Sequence, residues 1–196
     1  MKRLVILLVL TLTSMPVYAQ DNVFSELIST STAREFLLSK KFKTKEYYEL
    51  GRAKDLIFNA LIITDVLSGE KMGCVQLVME PSIVVLNRYP DRGVLDFDEL
   101  DDCISYLDYV IDKLLPTAPD FHKEAVYRSR DNVTFCTAYI NNTNLRKKVW
   151  ALTFGTYSNK DEFVSDSINN YYDENYIKQF RDFLVKAKAL IADKLR

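Results

Sequence analysis

Two stretches of this chain carry apolar residues at steps of three and four. The first is Leu100, Cys103, Ile104, Leu107, Val110, Ile111 and Leu114; the second is Ile177, Phe180, Leu184, Ala187, Leu190, Ile191 and Leu195. That spacing puts each set on one side of a helix, and such a stripe needs another layer to cover it. Short apolar runs broken by turn residues precede each stretch. Leu56 to Leu67 and Cys74 to Met79, around Ser68-Gly69-Glu70-Lys71, read as a β-hairpin, with Ile83 to Leu86 as a third strand beyond Pro81. Glu124 to Arg130, Val133 to Ile140 and Val149 to Tyr157 read as three more, divided by Asp131-Asn132 and by Asn141-Asn142-Thr143-Asn144. The order of three strands and a helix thus occurs twice. The expected fold is α+β: an antiparallel sheet with two helices on one face, built as a duplicated β-β-β-α unit.

The helix ends are marked as well. Asp96 or Asp98 can cap the first stripe helix, Pro116 stops it, and Asp173 can cap the second. Thr32 and Glu35 have the spacing of a capping box ahead of Phe36-Leu37-Leu38, which predicts a short helix near residues 33–40. That helix belongs to an N-terminal segment, residues 20–50, ahead of a single domain over residues 51–196.

The first 19 residues read differently. Lys2 and Arg3 precede an apolar run from Leu4 to Leu12, and a polar, small stretch then ends in Val17-Tyr18-Ala19. A basic start, a short apolar run and small residues at the cut position are the pattern of a secretory signal peptide, with cleavage expected after Ala19. The run is shorter than the roughly 20 residues that span a bilayer, and no Cys stands at the junction to take a lipid. The expected product starts at Gln20, is exported to the periplasm or beyond, and has no stable membrane anchor.

Charge and cysteine usage narrow the partners. The chain has 26 Lys and Arg against 27 Asp and Glu, and cleavage removes two of the basic residues. A balance this mild gives no electrostatic reason to expect nucleic acid. Cys74, Cys103 and Cys136 can form one internal bridge at most. Each lies in an apolar pattern, so three buried thiols are the favoured reading and one disulfide the alternative.

The stretch Ile63-Thr64-Asp65 to Gly69-Glu70-Lys71, the run Leu95 to Tyr109, and Trp150 after a basic pair resemble a family of small exported bacterial proteins with no known activity. In that family a hairpin with a Thr/Ser-Gly-Glu-Lys turn precedes an acidic-capped helix and a second set of strands. The likeness spans roughly residues 50–195. It implies the fold and the exported compartment, and no functional residue. This chain departs from the pattern at Arg130-Asp131-Asn132, where more Gly is expected.

Several constellations invite a chemical reading. Asp96, Asp98, Glu99, Asp101 and Asp102 could bind calcium or act as glycosidase-like carboxylates. They crowd one helix start, however, and lack the loop Gly of a calcium site, so helix capping accounts for them. His122 is the only histidine, and no nucleophile-elbow pattern surrounds any Ser. No Cys/His spacing suits zinc, and the five glycines form no phosphate loop, so no catalytic residue, metal or cofactor is expected. Lys40, Lys41, Lys43 and Lys45, with Arg34 nearby, read as a solvated face, with anionic lipid or polysaccharide as the alternative partner. The sequons at Asn132 and Asn141 are idle under a bacterial export signal.

Strand alternation suggests one surface. Cys136, Ala138 and Ile140 form a compact row suited to lying under a helix, while Val133, Phe135, Thr137 and Tyr139 form the opposite row. Turned outward beside Tyr127 and Tyr157, the second row would make an aromatic platform, with Tyr127, Phe135 and Tyr139 as candidate binding residues. The function expected on these grounds is an exported, non-catalytic binding or interaction module for a protein or carbohydrate ligand. A hydrolase of the periplasm or cell exterior, and a self-associating structural component, are the alternatives.

Overall fold

The computed structural model describes residues 31–39, 42–80, 91–142, 146–155 and 171–196. The expected signal peptide, the strand expected at 83–86, and Tyr157 lie outside them. Among the described residues the chain forms α1 (Thr32–Leu38), β1 (Lys43–Ala53), β2 (Leu56–Asp65), β3 (Lys71–Met79) and β4 (Asp91–Asp96). A 3-10 turn (Phe97–Glu99) leads into α2 (Leu100–Tyr109), which widens into a π turn at Val110–Leu114. Then follow β5 (Glu124–Arg128), β6 (Thr134–Asn142), β7 (Lys147–Gly155) and α3 (Glu174–Lys194).

The fold is α+β and every strand pairing is antiparallel, but the strands divide into two sheets. The first has the order β1-β2-β3-β4 and the second β5-β6-β7. Among the described residues the expected pair of equal three-strand units is therefore corrected to four strands before α2 and three before α3. Neither β1 nor β4 coincides with an expected strand, and the domain boundary expected after residue 50 falls inside β1. Its outward pleats are charged, so it lacks the apolar alternation that marks a half-buried strand. It joins β2 through a two-residue turn at Lys54-Asp55, with Ala53 opposite Leu56 and Lys54 at a φ of 59°.

Both stripes lie where their spacing puts them. Leu100, Cys103, Leu107, Val110 and Leu114 of the first, and Ile177, Phe180, Leu184, Ala187 and Ile191 of the second, are buried in one core with Phe58, Val75, Leu77, Leu95, Phe135 and Leu152. The two helices thus share one face of both sheets. Close approach of α3 to the first sheet depends on two glycines: a Cβ at Gly51 would overlap the Phe183 ring, and one at Gly73 would overlap Ile191. On the opposite face α1 sets Ala33, Phe36 and Leu37 against Leu61, Ile63, Cys74 and Val94. The cap of α1 is Ser31, whose hydroxyl accepts the Arg34 N–H at 3.2 Å, and not the expected Thr32.

The outer edge of β4 meets the turn between β5 and β6. The Val94 N–H donates to the Asp131 carboxylate at 3.0 Å, and the Ser129 hydroxyl donates to the Val94 carbonyl at 3.4 Å. Asn132 takes a φ of 58° there, a left-handed conformation that Asn tolerates better than most residues.

Candidate interaction surfaces

The aromatic row lies in the core, and its expected outward orientation is reversed. Phe135 is 0% exposed. Its ring centroid lies 5.5 Å from Phe154, 6.2 Å from Phe180 on α3 and 6.5 Å from Tyr127. Tyr127 in turn lies 5.9 Å from Tyr106 on α2, and Tyr139 lies 5.3 Å from Trp150. Thr137, in the same row, is buried with its hydroxyl 2.8 Å from the Tyr106 hydroxyl. The three candidate binding residues therefore help to fill the space between sheet and helices. The cause is area: aromatic rings bury about 150–250 Å² each, far more than Cys, Ala and Ile can remove from water. Alternation misled because the other row is also largely buried, with Ala138, Ile140 and Ala151 packing beside Val149 and Tyr171.

The acidic residues around the start of α2 are spent on structure. The Asp96 carboxylate accepts from the Ser31 hydroxyl at 2.9 Å and from the backbone N–H groups of Thr32 at 2.8 Å and Ala33 at 3.1 Å. Of the two caps expected, Asp96 or Asp98, Asp96 forms a capping box with Glu99 at the turn that leads into α2, its own N–H donating to the Glu99 carboxylate at 3.1 Å, and its side chain serves α1 as well. Arg130 reaches Asp96 at 3.1 Å and Glu99 at 3.4 Å, and also pairs with Asp98. Asp131 holds Arg34 at 2.5 Å, and Asp101 pairs with Lys188 of α3. These contacts join α1, β4, α2 and the β5–β6 turn. Among the described residues no group of three or more His, Cys, Asp or Glu side chains could hold a metal ion.

His122 shares a 2.6 Å contact with Glu124, and both lie at the start of β5. Of the basic patch, Lys43 is buried against Asp65 at 3.1 Å, with its ammonium 3.5 Å from the centre of the Phe36 ring. Lys45 is exposed; Lys40 and Lys41 lie outside the described residues. Asp65 also accepts from the N–H groups of Leu67 and Ser68, each at 3.0 Å.

All three cysteines are free thiols, Cys74 and Cys103 buried and Cys136 half-buried. Burial, with Asp96 and Asp131 nearby, pushes the Cys74 thiol up to about 12. Burial raises Cys103 further, and burial plus Glu124 raises Cys136 to about 11. The thiolate is the nucleophilic form, so these environments oppose cysteine chemistry near neutral pH.

Of the large apolar side chains exposed among the described residues, three lie at one end of the first sheet, the others being spread over β1, α2, β5 and α3 and the segments beside them. Leu67, in the β2–β3 turn, is 81% exposed, Phe42 64% and Val66 44%. The Val66 N–H donates to the Phe42 carbonyl at 2.9 Å, so Phe42 and Val66 are paired across the strand edge, with Leu67 next in the chain. Leu38, at the end of α1, is also exposed. Sequence reasoning passed over this group because it draws single residues from separate segments. No helix among the described residues is long and apolar enough to cross a membrane. Comparison with protein-family models, with curated proteins and with solved structures finds no match to this chain.

Proposed function

We propose that the chain is an exported, non-catalytic interaction module that engages a protein partner through the apolar end formed by Phe42, Val66 and Leu67. One observation carries this reading: Phe42 and Val66 are paired through the backbone, Leu67 follows in the chain, and all three large apolar side chains are exposed. Scattered exposed hydrophobes are ordinary on a protein surface, whereas contiguous ones mark contact sites. Aliphatic side chains on a turn suit the apolar centre of a protein interface. A carbohydrate site would call for flat rings flanked by polar groups, whereas of the rings expected to serve Phe135 is buried and Tyr127 and Tyr139 are half-buried against the core. Export rests on the Lys2–Ala19 pattern and on the resemblance above.

The test begins with the exported product, whose intact mass should correspond to a start at Gln20. That product, immobilised, should retain a specific protein from the surrounding compartment. The double variant Phe42→Ser, Leu67→Ser should lose that protein while melting within a few degrees of the parent. Retention of residues 1–19 would refute export, and undiminished capture by the variant would refute the site. Capture of an oligosaccharide instead would replace the partner class. A turnover abolished by His122→Ala would favour the hydrolase alternative.

A further inference from the structure

The long edge strand of the first sheet is complementary to itself. Of the four outer edges, β4 is met by Ser129 and Asp131, and β7 is bridged by Tyr172, which exchanges two backbone hydrogen bonds with Leu152 at 2.8 and 3.0 Å. β1 and the five-residue β5 have no strand partner on their outer sides among the described residues. The hydrogen bond from Val66 to Phe42 sets the phase of β1. Phe42, Thr44, Glu46 and Tyr48 direct their backbone groups at β2, so Lys43, Lys45, Tyr47 and Glu49 direct theirs outward. That outward series ends at the register shift between Glu49 and Gly51.

The side chains of Lys45, Tyr47 and Glu49 share one face and are exposed, Tyr47 by 53%. Neither Lys45 nor Glu49 forms an ion pair with a described residue. Natural edge strands that must stay single are guarded by like charges, Pro or bulges. Here the bulge comes only after residue 49, and the charges are opposite and symmetric about Tyr47.

We infer that two copies of this chain associate through antiparallel β1–β1 pairing on a two-fold axis at Tyr47. In that register Tyr47 faces Tyr47 of the second copy, Lys45 faces Glu49, and Glu49 faces Lys45. Every residue in these pairs has its N–H and C=O on the free edge, so the backbone bonds form together with two ion pairs. The contact is isologous and closed, and the first sheets of two copies become one eight-stranded sheet. Registers shifted by one step of the pleat set Lys45 against Tyr47 or Gly51 and lose both ion pairs. The β5 edge also carries opposite charges, Glu124 and Arg128, but it is shorter and Glu124 is already held by His122. This association uses a surface other than the apolar end proposed above and stands or falls without it.

Sedimentation velocity on the purified chain, from about 10 to 500 μM, reads the outcome directly. The parent should sediment as a dimer at the upper end. Lys45→Glu opposes like charges at both ends of the pairing and should weaken association about tenfold or more. Lys45→Glu combined with Glu49→Lys restores the pairs in reversed order and should restore the dimer, which excludes misfolding as the cause. Arg128→Glu should leave the dimer unchanged. A parent that stays monomeric throughout overturns the inference. So does a dimer indifferent to Lys45→Glu, one that the double swap does not rescue, or one dispersed by Arg128→Glu.

Discussion

Phe135→Ala distinguishes the two possible orientations of β6 in a single measurement. The Phe135 ring is fully buried and has three aromatic neighbours within 6.5 Å, on β5, β7 and α3. Truncating a core Phe to Ala costs about 3–5 kcal/mol, the upper end applying where the surroundings cannot collapse into the cavity. Sheet and helix close this site from both sides, and each aromatic pair lost adds about 0.5–1.5 kcal/mol beyond area. A loss near 4 kcal/mol is therefore expected, with a fall in melting temperature of about 8–16 °C for a domain of this size. The control is Val126→Ala, on the opposite face of the same sheet and 54% exposed. It should change stability by no more than about 0.5 kcal/mol. Urea unfolding followed by circular dichroism gives both values, and an unchanged m-value confirms that the folded states are comparable. A cost below about 1 kcal/mol at Phe135, or a larger one at Val126, would show that the aromatic row is open and the described packing wrong.

Two further perturbations test other joints. Gly73→Ala places a methyl group against Ile191 and should cost about 1–3 kcal/mol by overpacking, a loss that Ile191→Val partly relieves; equal melting of Gly73→Ala and parent would mean that α3 does not lie where described. Asp65 is held below the ordinary carboxylate range by the Ser68 N–H, against an opposing effect of burial, and further by Lys43 and the Leu67 N–H. A depressed folded value contributes stability above the unfolded value, near pH 4, and that contribution drains as the pH falls below it. Asp65→Asn should therefore lower stability at neutral pH and flatten its decline between about pH 4 and pH 2; an unchanged acid slope would refute the assignment.

How much of this fold could be read from residues follows from where each element lies. The stripes of α2 and α3 were legible because each helix has one covered side, so burial imprints the helical period on the sequence. The β2–β3 hairpin was legible because Leu56–Asp65 and Lys71–Met79 are apolar runs around a Gly turn. β1 was not, because an edge strand with Ala53 as its one buried residue has little apolar pattern to show, and Lys54 enters its turn without the usual Gly or Asn. β4 was hidden for the opposite reason. Val94, Leu95 and Asp96 are buried in succession between α1 and the α2–α3 layer, so nothing alternates.

The misplaced surface follows from the same physics. Alternation in β6 separated two rows correctly, but which row faces the helices is decided by the volume to be filled, and volume is a property of the partner layer. A gap between a sheet and two helices is filled by rings, so the larger row goes inward and small side chains suffice on the other face. The Arg130-Asp131-Asn132 turn repeats the lesson at long range. Its residue types announced a turn, and the left-handed Asn132 is one. Nothing local announced that Asp131 would accept from Val94, 37 positions away, or hold Arg34, 97 positions away. A carboxylate on a turn is soluble by itself and needs no partner to be tolerated. It becomes structural only because β4 ends its sheet there, with a backbone N–H that water no longer reaches. An unpaired donor of that kind costs about 1–3 kcal/mol, so the edge requires a partner and the nearest turn supplies it.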